Sequence, residues 1–386
     1  MRKKVLFYTS GIGLGGVERV ILEVLKLIDK DKFDIKLALQ YENENLFEDE
    51  IPKEVDYKYM LPLNIINRSL YYRSRKKNIF YKVLYSLNMM YEKYIIKKNY
   101  LEYSKDRDIV IDFKSGDFLK LITLNKNQRK ICWFHSDITK LNRYLERKNK
   151  LRKQLSLVDK IVCICNEMKE ELVHEMLELE NKIDVIYNPF DIEKILKKAE
   201  DIDELSIEDK EKMKEEYIIM VSRLELKMKD FFTLFKAFEI VRNKYRNIKL
   251  YLLGDGPDRE IIQKKIKEMK LEGNIILLGQ RKNPYPWVKN AKILVHSSLS
   301  EGFGLVLVEG LILEKNIVST NCKVGPKEIL DNGKYGTLVE IGNYKNMAEV
   351  IEKIVIKEEE INYEESIERF DGKKIIKQIE ELLILI

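Results

Sequence analysis

The chain has 386 residues, of which 45% are apolar and 35% charged, and its formal net charge is +6. This composition excludes a disordered chain, and the length predicts two domains that each bury a core without needing disulfides. Four cysteines and the lack of an apolar run of about 20 residues argue against a disulfide scaffold and a membrane-spanning helix, so we expect a cytoplasmic protein with reduced thiols.

Short runs rich in Val and Ile alternate with longer segments of helical period along most of the chain. The first series of predicted strands is Val5–Tyr8, Ile35–Gln40, Ile109–Phe113, Ile131–Phe134, Ile161–Ile164 and Val185–Tyr187. The second series is Ile218–Val221, Lys249–Leu253, Ile275–Leu278, Ile293–His296, Ile317–Thr320 and Thr337–Val339. Such strands, separated by helix-length segments, predict an α/β fold with two doubly wound parallel sheets.

The two series of strands divide at Asn188-Pro189-Phe190, where a helix-breaking pair ends the first. We therefore predict a Rossmann-like domain over residues 1–189 and a second over residues 190–371. The last helix, residues 372–386, could pack on either half. Parallel sheets bind ligands beyond the carboxyl ends of their strands, so two such domains predict a site in the cleft between them.

A glycine-rich stretch, Gly11-Ile-Gly-Leu-Gly15-Gly16-Val-Glu-Arg19, follows the first strand and leads into a helix of apolar period. Glycines let the backbone approach a ligand closely, and the start of the helix offers free N–H groups to a phosphate. A tight strand-to-helix turn explains the same residues, and a dinucleotide site is a third interpretation. Against the dinucleotide site, the second strand ends in Leu39-Gln40-Tyr41, and Glu42 is the nearest acid that could bind a ribose.

The positive charge is concentrated between residues 64 and 105, where ten Lys and Arg and nine aromatic residues accompany two Glu. Apolar residues at helical spacing, from Phe80 to Ile95, predict an amphipathic helix. One hypothesis is an interfacial element on an anionic membrane. The other is an ordinary domain helix whose solvated basic face binds the phosphates of an acceptor. The candidate residues are Arg73, Arg75, Lys76, Lys77, Lys82 and Lys93. No nucleic-acid motif accompanies this charge, so we expect no nucleic-acid partner.

The second half carries charged residues directly after two of its strands. Arg223 and Lys229 follow one strand, and a basic pair at a strand end can neutralise a diphosphate. Another strand leads into Glu301-Gly-Phe-Gly304-Leu-Val-Leu-Val-Glu309. The glycines there free amides at a new helix start to face a phosphate, and Glu309 is placed to accept both hydroxyls of a ribose. Each residue alone could be a solvated surface charge, but their joint spacing favours a site.

These motifs resemble those of the retaining, GT-B-fold glycosyltransferases of family 4, also called glycosyl transferases group 1. Glu301 and Glu309 match the family's E-x7-E motif, and Arg223 and Lys229 match its Arg…Lys pair. Five further stretches are similar: Gly254-Asp-Gly-Pro257, Gly15-Gly16-Val-Glu18-Arg19, His135 in Trp133-Phe-His-Ser-Asp137, Asn283–Trp287 and Gly325–Glu328. The last two segments are similar to those of members that build bacterial surface glycans.

The resemblance implies a role for each matching residue. Arg223 and Lys229 would hold the donor diphosphate and stabilise it as a leaving group. Glu309 would bind the ribose, Glu301 the hydroxyls of the transferred sugar, and His135 would lie near the sugar and the acceptor. Backbone groups would complete the donor site at Gly15, Gly16, Gly254, Gly304, Leu305 and Val306.

The implied reaction is the transfer of a hexose or N-acetylhexosamine from a nucleotide sugar, which in such family members is often UDP-linked, to a glycan acceptor. In surface-glycan members that acceptor is often lipid-linked, which would place the enzyme at the inner face of the cell membrane. No metal and no other cofactor is expected. Two other interpretations stay open: another nucleotide-sugar enzyme of this fold, and a catalytically silent nucleotide- or glycan-binding protein.

Overall fold

The protein is described by a computed structural model that covers residues 2–13, 15–42, 47–140, 144–203 and 205–386. The chain divides into two compact units. The first comprises Met1–Pro189 together with Gly372–Ile386, and the second comprises Phe190–Asp371. The boundary between the two units therefore lies directly after Pro189, and the last segment of the chain belongs to the first unit.

The first unit contains a seven-stranded sheet in which all paired strands run parallel. Its strands are β1 (Lys3–Thr9), β2 (Phe33–Tyr41), β3 (Asp56–Leu61), β4 (Ile109–Asp112), β5 (Arg129–Phe134), β6 (Lys160–Cys163) and β7 (Ile183–Val185). Their spatial order is β3-β2-β1-β4-β5-β6-β7, as in a doubly wound sheet. The first six helices are α1 (Gly16–Leu27), α2 (Leu63–Ser74), α3 (Ile79–Ser104), α4 (Leu119–Ile122), α5 (Tyr144–Leu155) and α6 (Asn166–Glu175).

The second unit repeats this order in a six-stranded parallel sheet, β10-β9-β8-β11-β12-β13. Its strands are β8 (Tyr217–Val221), β9 (Lys249–Leu253), β10 (Ile275–Gly279), β11 (Ile293–His296), β12 (Asn316–Thr320) and β13 (Thr337–Val339). Its helices are α7 (Ile192–Glu200), α8 (Ile207–Lys212), α9 (Phe231–Lys244), α10 (Arg259–Glu268), α11 (Tyr285–Asn290), α12 (Leu305–Ile312), α13 (Pro326–Ile329), α14 (Tyr344–Ile356) and α15 (Tyr363–Ile367). The predicted fold of two Rossmann-like sheets is confirmed.

The final helix, α16 (Gly372–Leu385), packs on α1 in the first unit. Its apolar face, which includes Ile375 and Ile379, is buried. The ammonium of Lys3 donates to the carbonyls at the end of α16, 2.8 Å from each of two oxygens. At the other side, the Asp29 N–H donates to the Glu380 carboxylate at 2.9 Å. The helix thus closes the unit in which the chain begins.

The edge strand β3 has no counterpart among the strands predicted from sequence. Its residues Asp56-Tyr-Lys-Tyr-Met-Leu61 bury only the last two side chains, Met60 and Leu61. An edge strand packs fewer apolar side chains than a central one, so its hydrophobic pattern is weak. The strand predicted at Val185–Tyr187 lies two residues earlier in the structure, where β7 spans Ile183–Val185.

Both sheets reverse their winding between the first strand and the fourth. In the first unit this reversal falls between β1 and β4, and in the second unit between β8 and β11. Connections leave such a point in opposite directions and open a crevice at the carboxyl ends of the strands, where open α/β sheets bind ligands. Within the described residues, no helix is both long and apolar enough to cross a lipid bilayer.

Candidate functional site

Four polar side chains meet at the winding reversal of the second sheet. His296 ends β11, Ser298 and Glu301 lie in the loop that follows it, and Lys229 comes from the loop after β8. The Glu301 Oε1 atom is 2.9 Å from His296 Nε2 and accepts from the Ser298 hydroxyl at 2.6 Å. The Lys229 ammonium pairs with Glu301 and donates to Ser298 Oγ at 3.0 Å. We call these four residues the Lys229–Glu301 cluster.

The backbone holds the two loops of this cluster together. Lys229 and Ser298 form an isolated antiparallel bridge, and the Asp230 N–H donates to the Ser297 carbonyl at 3.0 Å. Asp230 also caps α9 by accepting from the Thr233 N–H at 3.1 Å. Because α9 buries an apolar face that includes Phe231 and Phe235, its first turn is anchored in the core. Lys229, directly before this cap, is therefore held at the end of β11.

Burial and charge act in opposite directions on Glu301. Burial alone would raise the pKa of this carboxyl, but attraction by Lys229 and then His296 outweighs it and holds the pKa well below its ordinary value. The pKa of His296 is lowered, chiefly by burial and then by Lys229, so its ring is neutral near pH 7. An ionised carboxylate only accepts hydrogen bonds, so Nε2 of His296 carries the proton. Nδ1 is then the bare nitrogen, and it is buried without a hydrogen-bond partner in the described part of the chain.

Helix α12 begins directly after this loop. Gly304, at the residue before the helix, has a φ of +99°, a left-handed conformation that favours glycine. The amides of Leu305 and Val306 form the start of α12, where N–H groups of the first turn have no partner within a helix. Glu309 is buried in the same helix, with the Tyr285 hydroxyl 3.4 Å from its Oε1. The E-x7-E pair thus places one carboxylate in the Lys229–Glu301 cluster and the other on α12.

Arg223, the other cation expected at the donor diphosphate, lies outside the Lys229–Glu301 cluster. Its side chain is 72% exposed, and its Nε is 3.6 Å from a carboxylate oxygen of Glu225. The adjacent backbone depends on Gly254, which has a φ of +137°. A Cβ at this position would lie 2.0 Å from the Ser222 carbonyl oxygen. Gly254 therefore lets the end of β9 pass closely by the residue before Arg223.

The candidate histidine of the first unit, His135, directly follows β5 and is buried against aromatic rings. Its ring centroid is 4.4 Å from that of Phe113, and its plane lies parallel to that of Trp133. Burial, with a smaller contribution from Lys114, lowers the pKa of His135 to about 3. The ring is therefore neutral, and its Nε2 has no hydrogen-bond partner among the described residues.

A partly buried ion pair lies next to the glycine loop of the first unit. Gly16 begins α1, and Gly15 precedes it with an extended backbone. The Glu18 carboxylate packs against Gly15, so that a Cβ there would lie 2.1 Å from Oε2. Glu18 also pairs with the Lys114 ammonium at 2.7 Å. Leu14, inside the predicted loop, lies outside the described residues.

The basic candidates of the segment 64–105 are spread over two helices and the turn that joins them. Arg73 lies on α2, Lys82 and Lys93 on α3, and the rest in the turn. All are exposed: Arg73, Arg75, Lys76, Lys77, Lys82 and Lys93. The predicted single amphipathic helix is thus the longer member of a helical hairpin.

Sequence reasoning missed three residues that the structure brings to the two winding reversals. His296 and Ser298 contact Glu301, and Lys114 contacts Glu18. Each of them ends or follows a predicted strand at the carboxyl edge, which is a signal that could have identified them. Their side-chain partners come from distant parts of the chain, so the contacts themselves could not be read from local spacing.

Two family models match the chain. Glycosyltransferase Family 4 matches residues 14–194, and Glycosyl transferases group 1 matches residues 201–369. An uncharacterized glycosyltransferase of Methanocaldococcus jannaschii is 32% identical over 57% of this chain. An N-acetylgalactosaminyltransferase of Campylobacter jejuni, named for a diphospho-undecaprenol-linked acceptor, is 32% identical over 46% of this chain. The matched regions span 62% and 46% of those two relatives.

The structural comparison extends over the entire chain. Anabaena HepE, solved in complex with UDP and glucose, superposes with a TM-score of 0.77 at 17% identity and covers 100% of both chains. WaaG, a glycosyltransferase involved in lipopolysaccharide biosynthesis, superposes with a TM-score of 0.69 at 12% identity, covering 98% of this chain and 99% of WaaG. At these identities the likeness shows the fold, which is GT-B.

Proposed function

Because the chain belongs to the glycosyltransferases of family 4, we propose that it moves a hexose or N-acetylhexosamine from a UDP-sugar to a glycan acceptor, with retention of configuration at the sugar. The observation that carries this proposal is the Lys229–Glu301 cluster at the winding reversal of the second sheet. It holds a cation and an ionised carboxylate side by side where open α/β sheets bind nucleotides.

Lys229 is the residue we assign to the donor diphosphate. Without donor its ammonium is neutralised by Glu301, so a bound diphosphate would share or replace that carboxylate as the anionic partner. The amides at the start of α12, those of Leu305 and Val306, offer further donors to a phosphate. Arg223 is exposed in this structure and would have to turn inward to join them. Glu309 is assigned to the ribose.

The low pKa of Glu301 limits what this carboxylate can do. It is ionised across the physiological range, so it cannot act as a general acid toward the leaving group. We therefore assign it to accepting hydrogen bonds from hydroxyls of the transferred sugar. This arrangement differs from that of glycosidases, which pair a carboxylic acid with a second carboxylate on either side of the bond.

In the proposed reaction the bond between the anomeric carbon and the diphosphate oxygen breaks, and a bond to the acceptor oxygen forms. The acceptor hydroxyl gives its proton to the departing diphosphate. Charge develops on the diphosphate in the transition state, so Lys229 acts mainly by electrostatic stabilisation of the leaving group. The roles predicted for His135, Gly15 and Gly16 remain predictions.

The relatives support a surface-glycan acceptor. The Campylobacter relative is named for an undecaprenol-linked acceptor, and a relative from Staphylococcus aureus is named for capsular polysaccharide biosynthesis. We propose that the acceptor here is a lipid-linked glycan reached from the cytoplasm. The four cysteines are buried and form no disulfides with one another, which suits a reducing compartment.

The experiment is a donor screen followed by a transfer assay. UDP-glucose, UDP-galactose, their N-acetylamino counterparts and GDP-mannose are tested for thermal stabilisation and slow hydrolysis, then with a polyprenyl-diphosphate-linked sugar as acceptor. We expect one UDP-sugar to raise the melting temperature and to be consumed when acceptor is added. Stabilisation and turnover by none of them would refute the proposal.

A further inference from the structure

The long helix α3 exposes an apolar stripe along most of its length. Its members are separated alternately by three and four residues, with Lys97 at one such position: Phe80, Val83, Leu87, Met90, Tyr94 and Leu101. We call these six the outer seam of α3. Their side chains are between 37% and 68% exposed. Single exposed apolar residues are ordinary, but a contiguous stripe of this size marks an interaction surface.

The opposite side of α3 is polar where it meets α2. Asn88 and Glu92 are buried there. The Arg68 Nε donates to Asn88 Oδ1 at 2.5 Å, and Asn88 Nδ2 donates to Ser69 Oγ at 2.7 Å. The Ser69 hydroxyl in turn donates to Glu92. The hairpin is therefore inverted: polar side chains join its two helices and apolar ones face outward.

This inverted arrangement is held in place at the far end of α3. Ile96 and Tyr100 are buried, and the Asn99 amide donates to the Met60 carbonyl of β3 at 2.9 Å. Turning the helix by half a turn would bury the outer seam but would break these contacts. It would also leave the partners of Asn88 and Glu92 unsatisfied, which costs more than a lost hydrogen bond between exposed groups. The outward direction of the seam is thus a property of the folded unit.

The charge beside the outer seam is mostly positive. From residue 79 to residue 101 the single acid of α3 is the buried Glu92, and the exposed Glu102 follows directly after the seam. The exposed charges of that stretch are Lys82, Lys93, Lys97 and Lys98. The turn at the start of the helix adds Arg75, which lies over Tyr71 at 4.2 Å, and Lys76, which lies over Tyr85 at 4.3 Å. Any partner of this surface must bury apolar side chains and tolerate many cations.

A second copy of the chain does not meet that requirement. The alternating spacing of three and four would suit a coiled coil, whose flanking positions normally pair Lys with Glu. Here the only charged residues at the flanking positions between 84 and 100 are Lys93 and Lys98, so two seams would bring like charges together. An anionic lipid surface accepts both features, because apolar side chains enter the acyl boundary and long basic side chains reach the headgroups.

We propose that the outer seam of α3 lies on an anionic lipid bilayer, with the helix axis in the membrane plane and the basic turn against the headgroups. From Phe80 to Leu101 the contact would extend about 30 Å. Tyr94 in the seam and the exposed Tyr91 beside it suit the interfacial layer of a bilayer. This binding does not depend on the proposed transfer reaction and is measured without donor or acceptor.

The test is flotation of the full chain with vesicles of phosphatidylcholine alone or with one quarter phosphatidylglycerol. We expect binding to the anionic vesicles that weakens with salt. Leu87→Glu with Met90→Glu should weaken it by at least about tenfold, since two buried apolar contacts become charged. The matched control, Ile207→Glu with Ile356→Glu, changes two residues of the second unit that are 83% and 75% exposed and should bind like the parent chain.

Fluorescence locates the seam in the bilayer. Both native tryptophans are buried, so they contribute a constant background. A tryptophan in place of Leu87 should shift to the blue with anionic vesicles and be quenched by brominated lipid, whereas one in place of Ile207 should not. Equal flotation of the seam variant and the parent chain, or no flotation of the parent chain, would overturn the proposal. So would light scattering that shows a dimer for the parent chain and a monomer for the seam variant.

Discussion

The two sheets share one strand order but treat a buried carboxyl at the winding reversal in opposite ways. In the first unit, Asp112 ends β4 in full burial, and desolvation raises its pKa to about 7. In the second unit, the Glu301 side chain is 13% exposed, and its pKa lies below the ordinary value because Lys229 is in contact. Both carboxyls lie at the carboxyl edge of their sheet, one at a strand end and one in the following loop, and contact with a cation decides which of them is charged.

The first unit also has a lysine nearby, but its charge is used elsewhere. Lys114 donates its backbone N–H to Asp112 at 3.0 Å, while its ammonium pairs with Glu18 on α1. The histidines follow the same division. His135 contacts aromatic rings, whereas His296 contacts a carboxylate. In the second reversal the ion pair includes the Glu301 carboxylate and contacts a histidine, whereas in the first the pair of Lys114 and Glu18 does not include Asp112.

Removing the cation should make the second reversal resemble the first. Lys229→Ala leaves Glu301 buried beside a neutral histidine, so its pKa should rise and the leaving group should lose its stabilisation. We expect turnover to fall by about three orders of magnitude, at the upper end for loss of one electrostatic donor. The measurement is release of UDP by the donor found in the screen.

The matched control for that variant is Lys227→Ala, two residues earlier and exposed, which should turn over normally. Loss of the buried pair also destabilises the fold. Adding Glu301→Gln to Lys229→Ala should therefore restore the melting temperature without restoring turnover. Full activity of Lys229→Ala would contradict the role of this residue.

The raised pKa of Asp112 predicts a pH dependence of stability in the opposite sense to most carboxyls. A folded pKa of about 7 lies above the reference value of 3.8, so the native state binds more protons than the unfolded state between these values. The free energy of unfolding should therefore fall as pH rises from 4 to 7 and then level off. Asp112→Asn should remove this slope. The difference in free energy of unfolding between the variant and the parent chain should then be roughly 2–4 kcal/mol more favourable to the variant at pH 8 than at pH 4.

Urea unfolding of both chains at a series of pH values measures this difference. Asp117→Asn is the comparison, because its carboxyl is less buried and its pKa is raised less. Parallel pH profiles of the parent chain and Asp112→Asn would show that Asp112 titrates normally. The two winding reversals would then not differ in the way stated for Asp112.

His296 should act by positioning Glu301 and not by transferring a proton. His296→Leu removes the donor at 2.9 Å from the carboxylate and should lower kcat by about tenfold, as expected for one hydrogen bond to a charged group. His296→Asn, which keeps a donor, should recover part of the rate. The pH profile of kcat should keep its shape in both variants, and a lost titration step would instead identify His296 as an acid or base.

Metal removal should have the smallest effect. Lys229 supplies the positive charge at the candidate diphosphate site, so we expect the transfer rate to change by less than about twofold in excess EDTA. The rate is measured before and after chelation, and with Mg²⁺ restored. A rate that falls with EDTA and returns with Mg²⁺ would contradict the expectation of a metal-independent reaction.

Local patterns in the sequence were sufficient for most of the fold. All six strands of the second sheet were predicted, and its central strands carry dense runs of Val and Ile such as Ile293–His296. The family was predicted from the joint spacing of its motifs and is confirmed by the family models. The edge strand β3 was missed because it buries few side chains and so has a weak pattern.

Side-chain partners from distant parts of the chain were decided by the tertiary structure. Arg223 and Lys229 look alike in sequence, yet only the second meets Glu301, because an anchored helix holds it beside β11. The helical period of α3 was evident, but the direction of its apolar stripe was set by the buried Asn88 and Glu92. Periodicity identifies a face, whereas the contacts that fill the unit's interior determine which face remains outside.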